Sequence, residues 1–459
     1  MDATLLNILA LYAGIVVVNV VLAGLQYWRN RSRLYRAVFL LWVGTAFAFF
    51  AQGAFSTGEH AIAFGFNFVI FINGALAYLI TQVLGLQFPW RVNGGVFFAS
   101  MLAGLIVALA GGGFTAITIP LVVGVCFPLY HVGYQVLSEI GWNNLTFSQR
   151  GLLVSSLFFV LHTMDYPWFR PIEALAPLGF TLAILCVFGL SVFAPAVVLE
   201  ILARREARSQ AELEVAHRIQ MEILPKQPEL DDLELACFMK PADEVGGDYY
   251  DIFRAGDFSW ILLGDVTGHG LSSGLVMLMA QSIISSILHT RTDITPSELA
   301  YLANTILHKN LRRLSEDRHM TLVALCRHGQ ENRFVYSGSH DDLYVFRAAT
   351  GEVEVVSVEE APHGLGFLDD FEREEWTENT LALEKDDVLL LGTDGITEAA
   401  AGGEYDRGMF TEDRVIAFLK ENARKPVDEI RERLVAELDR FTGGVFHDDV
   451  TFLVVRATA

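Results

Sequence analysis

The first 199 residues contain no lysine and only five acidic side chains, Asp2, Glu59, Glu139, Asp165 and Glu173, against seven arginines. A segment so poor in charge cannot cover itself with a hydrated surface, which excludes an ordinary soluble fold and makes lipid its natural solvent. Charge is concentrated in the remainder, with 26 basic and 49 acidic groups and a net of −23. What that part lacks is any cluster of Lys and Arg. Nucleic acid is therefore excluded as a partner, because binding to a phosphate backbone draws its affinity from such clusters. Cysteine is sparse as well: Cys126, Cys186, Cys237 and Cys326 are scattered without CxxC or close Cys/His spacing. Neither a zinc site nor a disulfide framework is supported.

What the first part has is long apolar runs. Segments of the roughly 20 residues needed to cross a bilayer can be drawn at 5 to 27, 35 to 56, 61 to 86, 91 to 110, 114 to 137, 149 to 169 and 178 to 202. Seven spans result, or six if the chain does not turn at AGGGF, Ala110 to Phe114. Short cytoplasmic loops carry the positive excess. With the amino terminus outside, Arg29, Arg31, Arg33, Arg36, Arg91 and Arg150 fall inside, as do Arg204, Arg205 and Arg208 after the last span; only Arg170 falls outside. That orientation predicts a multi-pass protein of the inner or plasma membrane with its acidic part in the cytoplasm. MDAT is too short and too acidic for the n-region of a cleaved signal, so the first span is expected to be retained. RNRSRLYR, Arg29 to Arg36, sets topology and can meet anionic lipid headgroups. His60, His131, His162, Asn67, Asn73 and Glu139 are polar groups within these segments. They invite a ligand-pocket or cofactor reading, but the three histidines lie on different helices without a spacing that joins them, so hydrogen-bonded core or interfacial positions are the stronger expectation.

From Glu200 the chain becomes charged and rich in helix formers up to Pro225 and Pro228. Leu199, Leu202, Leu213, Ala216 and Ile223 keep a three-four spacing, interrupted by Glu206, Ser209 and Gln220. Two readings stand: a two-stranded coiled coil making a homodimer through linker helices, or a solvated spacer. The organisation expected is thus a membrane domain over 1–202, a helical linker over 203–228 and a cytoplasmic domain over 229–459.

Beyond residue 229, short β-like runs alternate with helical patterns. Strands are expected at LELACFM, YYDIFR, FSWILLGDV, HMTLVALC, RFVYSGS, DLYVFRA, EVEVVSV, DVLLLGT and VTFLVVR, and helices over 271 to 289, 296 to 314, 411 to 422 and 426 to 441. Helices grouped in pairs among many strands imply a layered α+β fold. GLVMLMAQSIISSIL is too short, and too full of serine and glutamine, for another span, and reads as a buried helix on a sheet.

Acids recur at the ends of these strands. GGDYYD carries Asp248 and Asp251, GDVTGHG carries Asp265, TDGITEA carries Asp394, and HDDVTF carries Asp448 and Asp449. Gathered carboxylates repel and lose solvation, so they pack poorly unless a cation reverses the sign. Oxygen donors without a cysteine or histidine pair select hard ions such as magnesium or manganese. The glycine turn GDVTGHGLSSG does not cradle phosphate directly: an aspartate has the wrong sign, and no lysine follows the glycines as a P-loop requires.

PADEVGGDYYD, GDVTGHG, TDGITEA with the following GGEYDRGMF, and HDDVTFLVV stand in an order that resembles the SpoIIE-like branch of the PPM-type, metal-dependent serine/threonine phosphatases. The likeness covers about residues 215 to 457, including HRIQMEILP. It implies a C-terminal α+β PPM fold, a β-sandwich flanked by helices, with two divalent cations, manganese or magnesium, at its rim; with the apolar spans that precede it, the fold class expected is an N-terminal all-α transmembrane bundle joined to that domain. The metal ligands it implies are Asp248, Asp265, the Val266 carbonyl, Asp394 and Asp448, with Asp449 as support or an extra ligand. Asp265 and Asp394 would be the catalytic acids, and His269 a proton donor or a turn residue. SGSHDD, Ser337 to Asp342, departs from the glycine-histidine-proline-like turn usual in the family. The activity implied is hydrolysis of phosphoserine or phosphothreonine on a regulatory protein, of the anti-anti-sigma type in relatives. Two other classes compete: a membrane receptor whose cytoplasmic domain only binds a partner, and a metal nuclease, which the missing basic groove disfavours.

Overall fold

Apolar stretches of more than twenty residues leave the backbone one local way to satisfy its own polar groups, the α-helix. The computed structural model describes residues 3–55, 58–226, 230, 233–329, 331, 333–358, 364–367 and 373–458. Asp2, Pro228 and the expected boundaries at 56 and 228 to 229 fall outside them. The chain divides into two compact units, Met1–Arg208 and Ser209–Ala459.

The first unit is a bundle of seven helical segments. They are α1 (Ala3–Asn30), α2 (Arg33–Ala54), a continuous segment of α3 (Glu59–Gly65), a 3-10 turn and α4 (Ile70–Leu84), then α5 (Trp90–Leu109), α6 (Phe114–Gln135), α7 (Phe147–Met164) and α9 (Ala176–Ile223); the four-residue α8 (Tyr166–Phe169) follows α7. Ser32 caps α2 by accepting from the Tyr35 amide at 3.2 Å, and Thr146 with Gln149 forms a capping box on α7. The glycines at 110 to 114 do turn the chain, with Gly111 at φ +79° between α5 and α6. Among the described residues, six segments of this unit are long and apolar enough to cross a membrane by length and composition. The 18-residue α7 is not one of them, since Arg150, Gln149 and His162 dilute its apolar face. The seventh helix that passes on length and composition is Leu271–Thr290 of the second unit, which buries Val276, Met277, Ala280 and Ile284 against a sheet as expected. Large apolar residues such as Leu11, Val18 and Leu22 are more than half exposed on α1, a surface suited to lipid. The polar groups singled out in the bundle find separate partners: Asn73 donates to the Val125 carbonyl at 2.8 Å, Nδ1 of His131 lies 3.3 Å from Oδ1 of Asn93, and Nδ1 of His162 lies 3.1 Å from Oδ2 of Asp165.

No break separates the last span from the linker: α9 is one helix of 48 residues with Pro195 inside it. Its last turns present Val215, Ile219 and Ile223, spaced by four, as the exposed apolar stripe, while Leu213 and Ala216 are half-buried. The stripe therefore differs from the one the spacing suggested, because Gln220 and Leu224 turn inward.

In the second unit, alternating and continuous apolar runs form two five-stranded antiparallel sheets. The strands are β1 (Leu233–Lys240), β2 (Tyr249–Ala255), β3 (Phe258–Val266), β4 (Met320–His328), β5 (Arg333–Ser339), β6 (Leu343–Arg347), β7 (Glu352–Val356), β8 (Asn379–Ala382), β9 (Val388–Gly392) and β10 (Val450–Ala457). One sheet runs β1-β10-β9-β6-β7 and the other β2-β3-β4-β5-β8. The helices α10 (Leu271–Thr290) and α11 (Pro296–Leu314) cover the second sheet, and α13 (Thr411–Asn422) and α14 (Val427–Thr442) cover the first. Helix, sheet, sheet and helix layers result. One core joins the inner faces and extends to α10 and α11 around Trp260 and Ile284; another lies under α13 and α14 around Phe452 and Ile430. β8 is the one strand the sequence pattern did not suggest: four residues on a sheet edge are too short to show alternation.

Candidate metal centre

Register brings the first two acids together. Tyr249 pairs with Gly264 across β2 and β3, so Asp248, one residue before β2, stands opposite Asp265 near the end of β3. The other sheet supplies the second pair. Asp394 begins the short helix α12 (Asp394–Thr397) two residues after β9, and Asp448 stands two residues before β10. β9 and β10 are neighbours in register, Gly392 opposite Phe452.

Hydrogen bonds tie the two layers at this rim. Thr393 Oγ1 donates to Oδ2 of Asp248 at 3.0 Å, and the Thr393 amide donates to the Thr451 carbonyl at 3.0 Å. Asp449 accepts from the Ala242 amide at 2.7 Å and from the Gly247 amide at 2.5 Å. Its two oxygens thus hold the loop that carries Asp248. A side chain at Gly247 would meet the Val266 carbonyl at 2.7 Å, and one at Gly395 would meet the Asp449 carbonyl at 1.9 Å. Glycine is required at both because backbone passes against backbone.

The electrostatics match the geometry. Burial, and after it the Asp449 carboxylate, holds Asp248 well above the usual carboxylate range. Burial, then Asp248, Asp394 and Asp448, pushes Asp265 up to about 10. Burial, then Asp341 and Asp448, pushes Asp394 up to about 7. Asp448 thus acts on both Asp265 and Asp394. Asp449 is also raised by burial, an effect its two amide donors oppose.

Asp248 is 1% exposed, and its Oδ1 has no hydrogen-bond partner. A buried carboxylate oxygen left without a donor is costly, and an oxygen-liganded divalent cation relieves it. Among the described residues no three or more His, Cys, Asp or Glu side chains are placed so that they could hold a metal ion. The fit to a hard cation therefore rests on donor type, convergence and the unpartnered oxygen.

Not every residue singled out in the sequence lies in this cluster. His269 is on an exposed turn with its Nδ1 2.6 Å from Oδ2 of Asp243, in the PADEVGGDYYD segment. Asp251 points away, its carboxyl beside Tyr249 and its own strand. The SGSHDD turn borders a cavity of about 250 Å3 whose lining includes His340, Asp341, Tyr344, Thr393 and Glu412. Burial drives His340 down to about 4.

Three groups escaped the sequence reading. Thr393 was hidden inside a motif read only for its aspartate. Arg318, whose guanidinium donates to the Thr267 carbonyl and lies over Gly268, sits among charges that look like a solvated turn. Gln220 is fully buried and exchanges two hydrogen bonds with Gly246; its signal was the interruption it makes in an apolar stripe.

Residues 256–458 match the family model of Stage II sporulation protein E, SpoIIE. The chain is 24% identical over 258 residues to phosphoserine phosphatase RsbU of Bacillus subtilis, covering 54% of this chain and 70% of the relative. It is 22% identical over 232 residues to phosphoserine phosphatase RsbP of the same organism, covering 50% of this chain and about half, 53%, of the relative. Among solved structures, the SiaA-PP2C domain of Pseudomonas aeruginosa is similar at 25% identity and a TM-score of 0.48, over 55% of this chain and 99% of that one.

Proposed function

From the match of residues 256–458 to the SpoIIE family model, we propose that the chain is a membrane-embedded, metal-dependent protein serine/threonine phosphatase acting in signal transduction. The observation that carries this reading is the convergence of Asp248, Asp265, Asp394 and Asp448. They come from four separated stretches of sequence and two sheets, and after burial it is the carboxylates of Asp248, Asp394 and Asp448 that push Asp265 up at a single rim.

Asp248, Asp265, Asp394, Asp448 and the Val266 carbonyl would hold manganese or magnesium, which when bound supplies an activated water and offsets charge on phosphate oxygens. Thr393 fixes Oδ2 of Asp248, and Asp449 fixes the backbone on which Asp248 stands. Both are positioning groups. His269, exposed and paired with Asp243, holds the turn after Asp265, and solvent is the proton source for the departing serine or threonine oxygen.

The substrate class is a phosphoserine or phosphothreonine on a regulatory protein; the names of the two curated relatives support the phosphoserine. Six apolar helices in the first unit support insertion in the inner or plasma membrane. The arginine distribution supports a cytoplasmic phosphatase. The exposed Val215, Ile219 and Ile223 support a homodimer through the linker helices.

The test compares wild type with Asp265→Asn and Asp394→Asn in manganese-dependent phosphate release from a phosphoserine protein. Both variants should fold and lose turnover. Near wild-type turnover in both would remove the site assignment. A receptor that only binds its partner would leave the phosphate in place in a single-turnover assay.

A further inference from the structure

The membrane-type bundle contains a second site, unrelated to the acids. A cavity of about 510 Å3 lies among α1, α2, the α3–α4 segment, α7 and α9. It is built from the start of α1, the end of α2, the end of α7 and the start of α9. In alternating helices those positions share one end of the bundle, the end remote from Ile223.

Its wall is mostly apolar and aromatic, with Phe49, Phe66, Phe159 and Phe180. Gln52, His162, Asp165, Tyr166 and Arg170 form the polar part. His162 Nδ1 lies 3.1 Å from Oδ2 of Asp165, so the one carboxylate of this group is engaged by the imidazole. Arg170 is exposed, and the Tyr166 hydroxyl beside it donates to the Ile62 carbonyl at 3.4 Å. The Tyr166 ring in turn stacks on Phe66 at 4.0 Å between centroids. Gly179 keeps α9 bare on this side: a side chain there would begin 4.0 Å from Cε1 of His162.

Ligand sites are typically cavities of about 300–1,000 Å3 with an apolar lining and a few convergent polar groups. Ionisable residues in an apolar bundle are costly and mark functional positions. An arginine at the mouth offers a planar fork suited to a carboxylate or phosphate oxygen pair.

We propose that this cavity binds a small amphiphile, with its apolar body among the phenylalanines and an anionic, hydrogen-bond-accepting head at Arg170 and His162. A free carboxylic acid from outside the cell and an anionic lipid from the bilayer share that chemistry. The wall formed by Ala176 to Ala183 and the buried Gln220 belong to the same helix, α9.

The test uses the full chain in nanodiscs of phosphatidylcholine, titrated with decanoate and, separately, with decanol, and read by calorimetry. Decanoate should bind saturably. Arg170→Gln should raise its Kd at least about tenfold, one to two charge-assisted hydrogen bonds, and leave decanol unchanged. Gly179→Phe, which fills the cavity, should abolish both. Arg170 is exposed, so its variant remains informative if Gly179→Phe does not fold. Repeating the titration in phosphatidylglycerol nanodiscs assigns the source: competition points to a bilayer lipid and unchanged affinity to a free acid. Decanoate heats that are the same in wild type and Arg170→Gln, or that scale only with lipid area, overturn the proposal. None of these readouts depends on phosphate release.

Discussion

Gln220 and Gly246 exchange two hydrogen bonds, side-chain Nε2 to the glycine carbonyl at 2.7 Å and glycine amide to Oε1 at 3.1 Å. The glutamine lies on the helix that leaves the bundle, and the glycine lies two residues before Asp248. A single amide side chain thus completes the backbone pairing of the loop that carries a proposed metal ligand.

Gln220→Leu leaves both Gly246 groups buried without partners, at a cost of about 1–3 kcal/mol each. A drop of about 2–4 °C in Tm per kcal/mol follows for a domain of this size. The manganese concentration for half-maximal activity should rise as the loop loosens. Thermal melting with and without manganese, alongside a metal titration of turnover, checks both. An unchanged metal dependence would reduce the contact to ordinary packing.

Asp449→Asn turns one acceptor oxygen into a donor facing an amide N–H, and should destabilise by about 1–3 kcal/mol. Because Asp449 positions the loop, turnover should recover at saturating manganese. Asp394→Asn should show no such recovery. If Asp449→Asn stays inactive at every metal concentration, Asp449 is itself a ligand.

His269→Ala should retain activity within about tenfold of wild type, since a general acid contributes about 10²–10⁴-fold and a turn residue much less. Steady-state turnover on a phosphoserine protein measures it. A loss in the general-acid range would make the imidazole the proton donor.

Stability against pH reports the acids directly. Asp394 is raised to about 7 and Asp265 to about 10, burial first and neighbouring carboxylates next. In the unfolded chain aspartate ionises near about 3.9. Between these values the metal-free native state binds more protons than the unfolded state, so its stability falls as pH rises from about 4 to about 7. Saturating manganese favours the ionised forms and should flatten that slope. His340, lowered to about 4 by burial, acts oppositely: its contribution is lost as pH falls from about 6.5 towards 4, and His340→Gln should remove that loss. Melting temperatures of chelator-treated and manganese-loaded protein across this range separate the effects. A metal-free profile without the upward loss would contradict the clustering.

Nine of the ten strands and all four long helices of the second unit were legible in the sequence, because period-two and helical apolar patterns there are bounded by glycines and charged turns. The four acids were legible for a different reason: carboxylates beside glycine at strand ends have no packing explanation. Thr393, Gln220 and Arg318 were not, since a hydroxyl, an amide and a guanidinium read as solvated until tertiary register turns them inward. In the bundle, the continuity of α9 through residue 223 was masked by a change in composition at Glu200 that carries no change in helix propensity. His162 reads in the sequence as an isolated core or interfacial histidine because no other histidine shares its spacing. Its partner proved to be Asp165, three residues on.

The bond from Thr393 to Asp248 links the ends of strands from different sheets, and the four proposed aspartate ligands divide evenly between those sheets. Cation affinity is therefore a gauge of how the two β-layers are aligned. Slippage of one sheet over the other would spread the charges before it unfolded anything. Core substitutions far from the rim, at Trp260 or Ile430 for example, should then blunt metal uptake in a domain that still looks intact by circular dichroism.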